Sequence, residues 1–336
     1  MAIFARRICP LETALRLEPA VRIGHNHCIV SEQISMYIII TVLAIYLLSI
    51  IFIRIRNKDR FDLTRQLSDF STFMVIFNLP AYLLSKVPIQ PFADIKHFPD
   101  LQILEDNWEV IRDEAMALYD SGHIAVGEDL PASGFYKNGR WKSFYLKSYD
   151  NKIPSAYELA PKTMALINQV PSMRMALFAA LMPGKALKKH HDPFAFTLRY
   201  SLGLSTPNSE QCCLVVDGND LPWHDGKSYI FDETYMHSTY NNSDKMRIIL
   251  MTDVDRPLHS KIVEKIYYYF AAFFNRLFAV DNVDAKYSGI GNKLGKGMLA
   301  YSAMLKKFKK KNKLLYVLCK VIVTFSILGL IAYKLI

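Results

Sequence analysis

The segment HHDPFAFTLRY, residues 190–200, places two histidines and an aspartate side by side in a stretch rich in β-forming residues. His190 and Asp192 are two residues apart, so on an extended strand their side chains leave the same face while His191 points the other way. An imidazole nitrogen and a carboxylate oxygen are suitable ligands for one metal ion. The spacing therefore predicts a metal site that needs a third ligand.

Three downstream residues are candidates for the third ligand, namely His224, Asp225 and His237. His237 follows the apolar run in YIFDETYMHST, far from the first pair. Two histidines and one carboxylate on one face of a metal ion leave three positions open, as in non-haem Fe(II) oxygenases. A closed zinc site would use four protein ligands, commonly cysteines, and the adjacent Cys212 and Cys213 lack the CxxC spacing. The residue types thus favour an open iron site.

Two arginines lie on β-rich segments near these residues. Arg247 is ten residues beyond His237 in RIILMTDV, and Arg199 follows the first pair in TLRYSLGL. A guanidinium can bind a carboxylate through two parallel hydrogen bonds, so either arginine could hold the acid group of an oxo-acid cosubstrate. For an isolated arginine a structural salt bridge is the simpler interpretation, and only the neighbouring metal ligands favour the cosubstrate role.

The elements that must position these residues can be predicted from periodicity. From Met173 onwards, short apolar or alternating runs separated by Gly, Pro, Asn and Asp predict strands at a spacing typical of a β-sandwich or barrel. Upstream, Leu104–Gly122 has apolar residues at helical spacing, Trp141–Lys147 alternates like a strand, and Ala156–Val170 is predicted to be helical. The expected fold class is mainly β with flanking helices.

Two segments are candidates for membrane spans. Ile34–Ile53 has no charged residue and is long enough as a helix to cross a hydrocarbon core of about 30 Å. Leu314–Ile336 is a second candidate, although Lys320 and Lys334 interrupt it near its ends. Basic residues follow the first segment and precede the second. The positive-inside rule then predicts an inner (cytoplasmic) membrane protein whose main domain faces the cytoplasm.

Two further apolar segments are candidates for lying near the membrane surface. Phe73–Leu84 is too short to span, and Asn78 and Pro80 are expected to break it, which predicts an interfacial or re-entrant segment. Ile262–Val280 is crowded with aromatic residues. It is either a helix packed on the domain or an amphipathic helix on the membrane surface.

The charge distribution excludes one class of partner. The net charge of +10 is concentrated at the two ends of the chain, and residues 301–336 contain eight lysines and no acidic residue. A nucleic-acid-binding domain carries its basic surface on the folded part, so no nucleic acid is expected as a partner, and no obligate protein partner is indicated. The five cysteines do not resemble a disulfide framework, which fits a reducing compartment.

Taken together, HHDPFAFTLRYSLGL, CLVVDG, YIFDETYMH and RIILMTDVDRP closely resemble the aspartyl/asparaginyl beta-hydroxylase family of Fe(II)- and 2-oxoglutarate-dependent oxygenases. Within that family, the N-terminal span followed by RQLSDFSTFM, LLSKVP and DNWEVIRDEAMAL looks like the bacterial lipid A 2-hydroxylases. The resemblance covers nearly everything from Met36 to Pro257. It implies a double-stranded β-helix, a jelly-roll or cupin-like barrel, as the catalytic domain.

The resemblance also implies roles for individual residues. His190 and His237 match the iron-binding histidines of the family, and Arg199 and Arg247 match its 2-oxoglutarate-binding arginines. Asp192 stands where the animal peptide hydroxylases of the family have a glycine, so the metal-binding triad is complete in this chain. The cofactors implied are Fe(II), 2-oxoglutarate as cosubstrate and O₂.

The implied reaction couples decarboxylation of 2-oxoglutarate to hydroxylation of an unactivated carbon, here C2 of a lipid A secondary acyl chain (a myristate) at the cytoplasmic face of the inner membrane. Ser201 stands where the family has a histidine, which changes one cosubstrate contact. Lys185, Lys188 and Lys189 could meet a lipid phosphate, or they could form a solvated basic turn.

Three other functions are compatible with parts of this pattern: a peptidyl aspartyl/asparaginyl beta-hydroxylase, a catalytically inactive membrane-tethered binding protein and, more distantly, a zinc-dependent hydrolase. Met36 is an alternative start of the chain. The expected organisation is an N-terminal extension (1–33), a transmembrane helix (34–53), a membrane-proximal or interfacial segment (54–100), the oxygenase domain (101–258), an amphipathic and basic membrane-proximal tail (259–313) and a C-terminal transmembrane helix (314–336).

Overall fold

The structure is a computed structural model that describes residues 19–124, 141–151, 153–277, 282, 304–305 and 307–335. Residues 1–18 of the expected extension, residues 125–140 and most of 278–313 in the expected tail lie outside the described residues. The chain divides into two compact units. One contains residues up to Leu48 together with Leu318–Ile336, and the other is Ser49–Val317.

Strands of the second unit form two antiparallel sheets. The larger sheet has the order β1–β8–β5–β10–β3–β2 and the smaller sheet the order β4–β9–β6–β7. The strands of the larger sheet are β1 (Phe92–Ala93), β2 (Trp141–Ser148), β3 (Met173–Leu181), β5 (Thr197–Ser205), β8 (Ser228–Phe231) and β10 (Arg247–Asp255). The strands of the smaller sheet are β4 (Lys185–His190), β6 (Ser209–Val216), β7 (Asn219–Trp223) and β9 (His237–Asn241).

The core between the sheets explains why the strands take this arrangement. Leu177 and Leu181 of β3, Leu214 of β6 and Ile249 of β10 pack in one buried cluster that joins the two sheets. Neighbouring positions such as Phe178 point to the opposite face, because side chains alternate along a strand. The larger sheet is therefore buried on both faces. Two facing antiparallel sheets confirm the expected mainly β, jelly-roll architecture.

Helices cover the outer face of the larger sheet. They are α4 (Gln102–Asp106), α5 (Trp108–Asp120), α6 (Pro154–Leu159) and α7 (Pro161–Ile167). Each predicted helix in this region is divided in two. Asn107 separates α4 from α5 and donates its side-chain amide to the Ile103 carbonyl oxygen at 2.8 Å, and Pro161 cannot continue α6 because it has no N–H. The larger sheet also begins at Phe92, ahead of the expected domain start at 101.

The remaining helices are α1 (Pro19–Arg56), α2 (Leu63–Gln66), α3 (Phe70–Leu83), α8 (Lys261–Leu277) and α9 (Lys313–Leu335). Within α1, Met36–Arg56 is the one segment of the described chain that is long and apolar enough to cross a membrane. This matches the first expected span. The second span, which falls on α9, stays a prediction.

The expectation that Pro80 breaks the apolar segment around α3 is wrong. The helix runs without interruption from Phe70 to Leu83 with Pro80 inside it. Proline removes one intrahelical hydrogen bond, but the Leu84 N–H still donates to the Pro80 carbonyl oxygen at 3.0 Å, and Ala81 is fully buried. Tertiary packing thus compensates for the lost bond.

Gly203 on β5 supports a sharp stability prediction. A Cβ atom at this position would lie 2.1 Å from the His224 carbonyl oxygen. The turn that carries this oxygen is tied to β5, because Gly203 N–H donates to Lys227 O at 3.0 Å and Gly226 N–H donates to Gly203 O at 2.9 Å. We expect Gly203→Ala to destabilise the fold by about 1–3 kcal/mol or more.

Thermal unfolding in detergent micelles measures this effect. Gly329→Ala is the matched control, since no atom lies within 4 Å of the Cβ that it would add. We expect the control not to destabilise the fold, because alanine is a better helix former than glycine by up to about 1 kcal/mol. Equal transitions for Gly203→Ala and the control would contradict the close approach of the two backbones.

Candidate active site

Two histidines and one aspartate meet beside the smaller sheet. His190 ends β4, His237 begins β9, and the two residues are register partners whose ring centroids lie 4.2 Å apart. Asp192 lies just beyond β4, where its backbone N–H donates to the Glu233 carbonyl oxygen at 2.8 Å. The carboxylate of Asp192 is 3.8 Å from His190 Nε2 and 4.0 Å from His237 Nε2. All three candidate ligand atoms lie within 4.8 Å of one another. We call these residues the His-Asp-His cluster.

Hydrogen bonds orient both histidines of this cluster so that Nε2 can bind a metal. Nδ1 of His190 donates to the Lys188 carbonyl oxygen at 2.8 Å, and Nδ1 of His237 donates to the Tyr235 carbonyl oxygen at 3.0 Å. Since a carbonyl oxygen only accepts, each Nδ1 carries the proton and each Nε2 presents a lone pair. His237 Nε2 is buried and has no hydrogen-bond partner among the described residues. A metal ion would satisfy it.

Charges around the cluster keep both kinds of ligand in the form that binds metal. Burial, reinforced by neighbouring His190, lowers the pKa of His237 to about 3, so the imidazole is neutral at physiological pH. Burial alone would raise the pKa of Asp192, but Arg199 and the two histidines hold that pKa below its usual range. The cluster therefore offers a neutral imidazole at His237 and a carboxylate at Asp192.

The other sequence candidates for metal ligands lie outside this cluster. His191 is buried against the Phe61 ring, with centroids 5.4 Å apart, and its Nδ1 donates to the Thr234 carbonyl oxygen at 2.9 Å. His224 and Asp225 lie in the turn after β7, the strand farthest from β4 in the smaller sheet. Asp225 accepts the Thr206 N–H at 2.7 Å, so its role there is to shape a turn.

A cavity of about 240 Å³ adjoins the His-Asp-His cluster, and Arg247 lines it. The guanidinium is 1% exposed, and it lies 5.5 Å from the Trp141 ring centroid and 5.2 Å from that of Trp223. Its Nε and one terminal nitrogen have no hydrogen-bond partner among the described residues, while the other terminal nitrogen donates to Thr239 Oγ1 at 3.3 Å. Burial lowers the pKa of Arg247 to about 10, so it is still charged at neutral pH.

Arg199 also lines this cavity, but its N–H groups are taken by three carboxylates. It donates to Asp192 at 2.8 Å and to Asp253 at 2.9 Å, and it forms a close ion pair with Glu233. Asp253 is its register partner across β5 and β10. Burial raises the pKa values of Glu233 and Asp253, although Arg199 opposes the effect. Arg199 thus fixes the carboxylate of Asp192 within a shared network.

Several residues that support the site were not identified from the sequence. Glu233 and Asp253 belong to this group, and so does Arg56 at the end of α1. Arg56 lies 3.8 Å over the Tyr235 ring and donates to Thr234 Oγ1 at 2.7 Å. Glu233 could have been identified from the sequence, because FDETYMH places an acidic pair inside an apolar run next to His237, and acidic residues are rarely buried without a partner.

Asp232 holds the turn that precedes His237. It accepts the Arg256 guanidinium at 2.7 Å and the Thr234 N–H at 2.9 Å, and both Asp232 and Arg256 are 1% exposed. Asp232→Asn would leave a buried guanidinium without its counter-charge. We expect the free energy of unfolding to fall by about 3–5 kcal/mol, measured by denaturant titration in detergent.

The pH dependence checks the same pair. Burial alone would raise the pKa of Asp232, but Arg256 and Arg56 hold it below its usual value. Its stabilising contribution is therefore present above the unfolded-state pKa and is lost as the pH falls through the folded-state pKa, so the difference from Asp232→Asn should shrink on acidification. Asp113→Asn, which breaks an exposed pair with Arg112, should cost less than about 1 kcal/mol.

The structure also places the other residues that were singled out in the sequence. Lys189 forms an ion pair with Asp59, while Lys188 is exposed. Cys212 and Cys213 are buried and free. Ser201 lines the cavity on β5, so the position where the resemblance implies a histidine does face the site.

Comparison with known proteins adds sequence relationships to this geometry. A family model described as Aspartyl/Asparaginyl beta-hydroxylase matches residues 105–257. The ornithine lipid ester-linked acyl 2-hydroxylase of Rhizobium tropici is 30% identical over 180 residues, which are 52% of this chain and 64% of that protein. The human aspartyl/asparaginyl beta-hydroxylase is 27% identical over 213 residues, 61% of this chain and 28% of that protein. This chain thus spans less than two thirds of the length of either relative.

Among solved structures, a prolyl-4-hydroxylase from Pseudomonas putida aligns with a TM-score of 0.31 and 16% identity, covering 45% of this chain and 88% of that chain. The family match is the informative relationship, because residues 105–257 include the His-Asp-His cluster, Arg199 and Arg247. Over residues 105–257, the chain is thus similar to the aspartyl/asparaginyl beta-hydroxylase family.

Proposed function

We propose that this protein is an Fe(II)- and 2-oxoglutarate-dependent hydroxylase that acts on C2 of an acyl chain in a membrane lipid. The observation that carries the proposal is the buried guanidinium of Arg247, which faces the same cavity as the His-Asp-His cluster. A buried charge without a counter-charge is costly. An anionic cosubstrate is the natural partner of this arginine.

The metal would be held by His190, Asp192 and His237, whose donor atoms fit an open iron site. Fe(II), with 2-oxoglutarate and O₂, would supply the oxidising power to insert one oxygen atom into a C–H bond while 2-oxoglutarate becomes succinate and CO₂. Arg199 would keep the Asp192 carboxylate in place.

Arg247 would bind the distal carboxylate of 2-oxoglutarate through its unpaired N–H groups, and Thr239 would fix the orientation of the guanidinium. Arg199 and Arg247 would thus have different roles, although the resemblance implied the same role for both. Arg199 already forms ion pairs with three acidic side chains, so a cosubstrate acid would have to displace one of them. The side chain that remains available for an anion is Arg247.

An apolar substrate is supported by the rest of the cavity wall. Leu177, Leu187, Leu214, Ile249 and Met251 line it, and such side chains suit methylene groups and exclude water. A segment able to cross a membrane precedes the domain in the same chain. A lipid acyl chain meets both conditions better than a peptide side chain does.

Two lipid substrates are candidates. The resemblance to lipid A 2-hydroxylases favours a secondary myristate of lipid A, which places the reaction at the cytoplasmic face of the inner membrane. The Rhizobium tropici relative favours an ester-linked acyl chain of an ornithine lipid. The human relative keeps peptidyl hydroxylation as the alternative from another substrate class.

Lipid mass spectrometry tests the proposal. The full-length protein and its His237→Ala variant are expressed in bacteria that make both lipids, and lipid A and ornithine lipid are extracted and fragmented. We expect one added oxygen at C2 of an acyl chain with the wild-type protein only. Unchanged lipids, together with a hydroxylated aspartate or asparagine in cellular proteins, would replace this proposal with peptidyl hydroxylation.

The proposed orientation has its own test. Reporter fusions that are active only in the cytoplasm or only in the periplasm, placed after Pro257, distinguish the two sides of the membrane. Cytoplasmic activity is expected, because basic residues flank the proposed spans on that side. Periplasmic activity would overturn the orientation without affecting the proposed chemistry.

A further inference from the structure

Helix α3 buries polar side chains and exposes apolar ones. It contains no charged residue, and its polar side chains Thr72 and Asn78 are buried. Thr72 hydrogen-bonds with Gln66, and the Asn78 amide donates to the Pro193 carbonyl oxygen at 2.9 Å. Ile76, Leu79 and Leu83 are exposed instead. A helix of a water-soluble surface shows the opposite distribution.

Helix α8 lies against α3 and exposes a second apolar stripe. Tyr267 and Ala271 face inwards, and the Tyr267 hydroxyl donates to the Phe77 carbonyl oxygen of α3 at 2.8 Å. Ile266, Tyr269 and Phe273, at helical spacing, are 60%, 69% and 63% exposed. The sequence left two alternatives for this helix, packing on the domain and lying on a membrane surface. One face of α8 does pack, and the opposite face is exposed.

The exposed residues of both helices form one apolar surface, which we call the α3/α8 surface: Ile76, Leu79, Leu83, Ile266, Tyr269 and Phe273. The two helices are joined by the rings of Phe77 and Phe270, whose centroids are 4.6 Å apart and whose planes are tilted by 47°. Large exposed apolar patches mark sites of interaction with a protein or a membrane.

Contacts between α3 and the end of α1 indicate what the α3/α8 surface binds. The segment able to cross a membrane ends at Arg56. Within the second unit, Phe52 of that segment packs on Tyr82 of α3, with ring centroids 5.6 Å apart, and the Arg56 guanidinium lies 5.1 Å from the Tyr82 ring. Helix α3 therefore packs against the end of the spanning segment, and the end of a membrane span lies at the bilayer surface.

We propose that the α3/α8 surface docks into the interfacial region of the lipid bilayer that α1 crosses. Aliphatic and aromatic side chains on one helix face, with lysines such as Lys261 and Lys265 beside them, are typical of helices that lie in this region. The proposal does not depend on hydroxylase activity. Helix α3 is also linked to the active site. Its Asn78 side chain accepts the Ala195 N–H at 3.0 Å, and Ala195 lies in the segment that follows Asp192.

Site-specific photocrosslinking in the full-length protein tests this docking. Benzoylphenylalanine is introduced at Leu79 or Tyr269, the protein is reconstituted in vesicles of phosphatidylethanolamine and phosphatidylglycerol, and adducts are identified by mass spectrometry. The control position is Glu109, which is exposed on α5, a helix that packs in a different core cluster from α3 and α8. We expect phospholipid adducts at Leu79 and Tyr269 at least about ten-fold above those at Glu109.

A second variant tests whether the two helices act as one surface. Tyr269→Glu places a charge where the bilayer interface would be, and it should reduce the lipid adducts formed by the probe at Leu79 several-fold. Circular dichroism confirms that each variant is folded. Adducts with a second copy of the chain instead of lipid, adducts equal to those at Glu109, or a Leu79 yield that is insensitive to Tyr269→Glu would each overturn the proposal.

Discussion

Replacing His237 by alanine is expected to abolish both iron retention and hydroxylation. His237 is buried, its Nε2 is unsatisfied among the described residues, and its Nδ1 is committed to the Tyr235 carbonyl oxygen. No other described imidazole lies close enough to replace it beside His190 and Asp192. Loss of a hydrogen-bond partner that only orients a metal ligand typically costs 10- to 100-fold in metal affinity or activity, so loss of the ligand itself should exceed about 100-fold.

The measurement combines iron content after anaerobic loading with Fe(II) and hydroxylated lipid per protein. His191→Ala is the matched control, because it removes a buried histidine adjacent to the cluster but outside it. We expect it to retain iron while losing about 1–3 kcal/mol of stability, since it leaves the buried Thr234 carbonyl oxygen without its donor. Iron loss in His191→Ala together with iron retention in Asp192→Ala would show that the ligands are assigned incorrectly.

The sequence predicted part of this site because some of its geometry is local. His190 and Asp192 are neighbours in the chain, and the alternation that predicts strands also places side chains on one face. The structure nevertheless ends β4 at His190, and Asp192 reaches the cluster through its backbone hydrogen bond to Glu233. The third ligand depended on strand order. β9 pairs with β4, whereas the turn that carries His224 follows β7 at the far edge of the sheet.

Contacts between distant segments were beyond prediction from one sequence. Arg199 meets Asp253 only because β5 and β10 pair in one particular register, and no local pattern specifies that register. Helix α3 was misjudged because Asn78 and Pro80 usually disfavour a helix, and propensity is a weak guide where tertiary contacts are strong. Asn78 is held by bonds to Pro193 and Ala195, more than a hundred residues away.

Replacing Arg247 by lysine is expected to weaken 2-oxoglutarate binding by about 10- to 100-fold while leaving iron retention intact. Lysine keeps the positive charge but lacks the planar pair of donors that binds a carboxylate, so the substitution is not conservative at such a site. One hydrogen bond to a charged group contributes about 1.5–3 kcal/mol, which corresponds to this range of affinity. Arg247 has two nitrogen atoms without a partner among the described residues, so the substitution should lower the affinity for the cosubstrate rather than break contacts within the protein.

Succinate release as a function of 2-oxoglutarate concentration measures this effect in the full-length protein with Fe(II) and lipid substrate. Arg199→Lys is the matched comparison, because the two arginines line the same cavity but contact different groups. Since Arg199 holds Asp192, Arg199→Lys should lower iron retention and leave the concentration of 2-oxoglutarate at half-maximal rate nearly unchanged once iron is saturating. The reverse pattern, with iron retained in Arg199→Lys and its 2-oxoglutarate requirement raised, would assign the cosubstrate carboxylate to Arg199. Hydroxylation that proceeds without 2-oxoglutarate would remove the cosubstrate role from both arginines, and the buried guanidinium of Arg247 would then need a different anion.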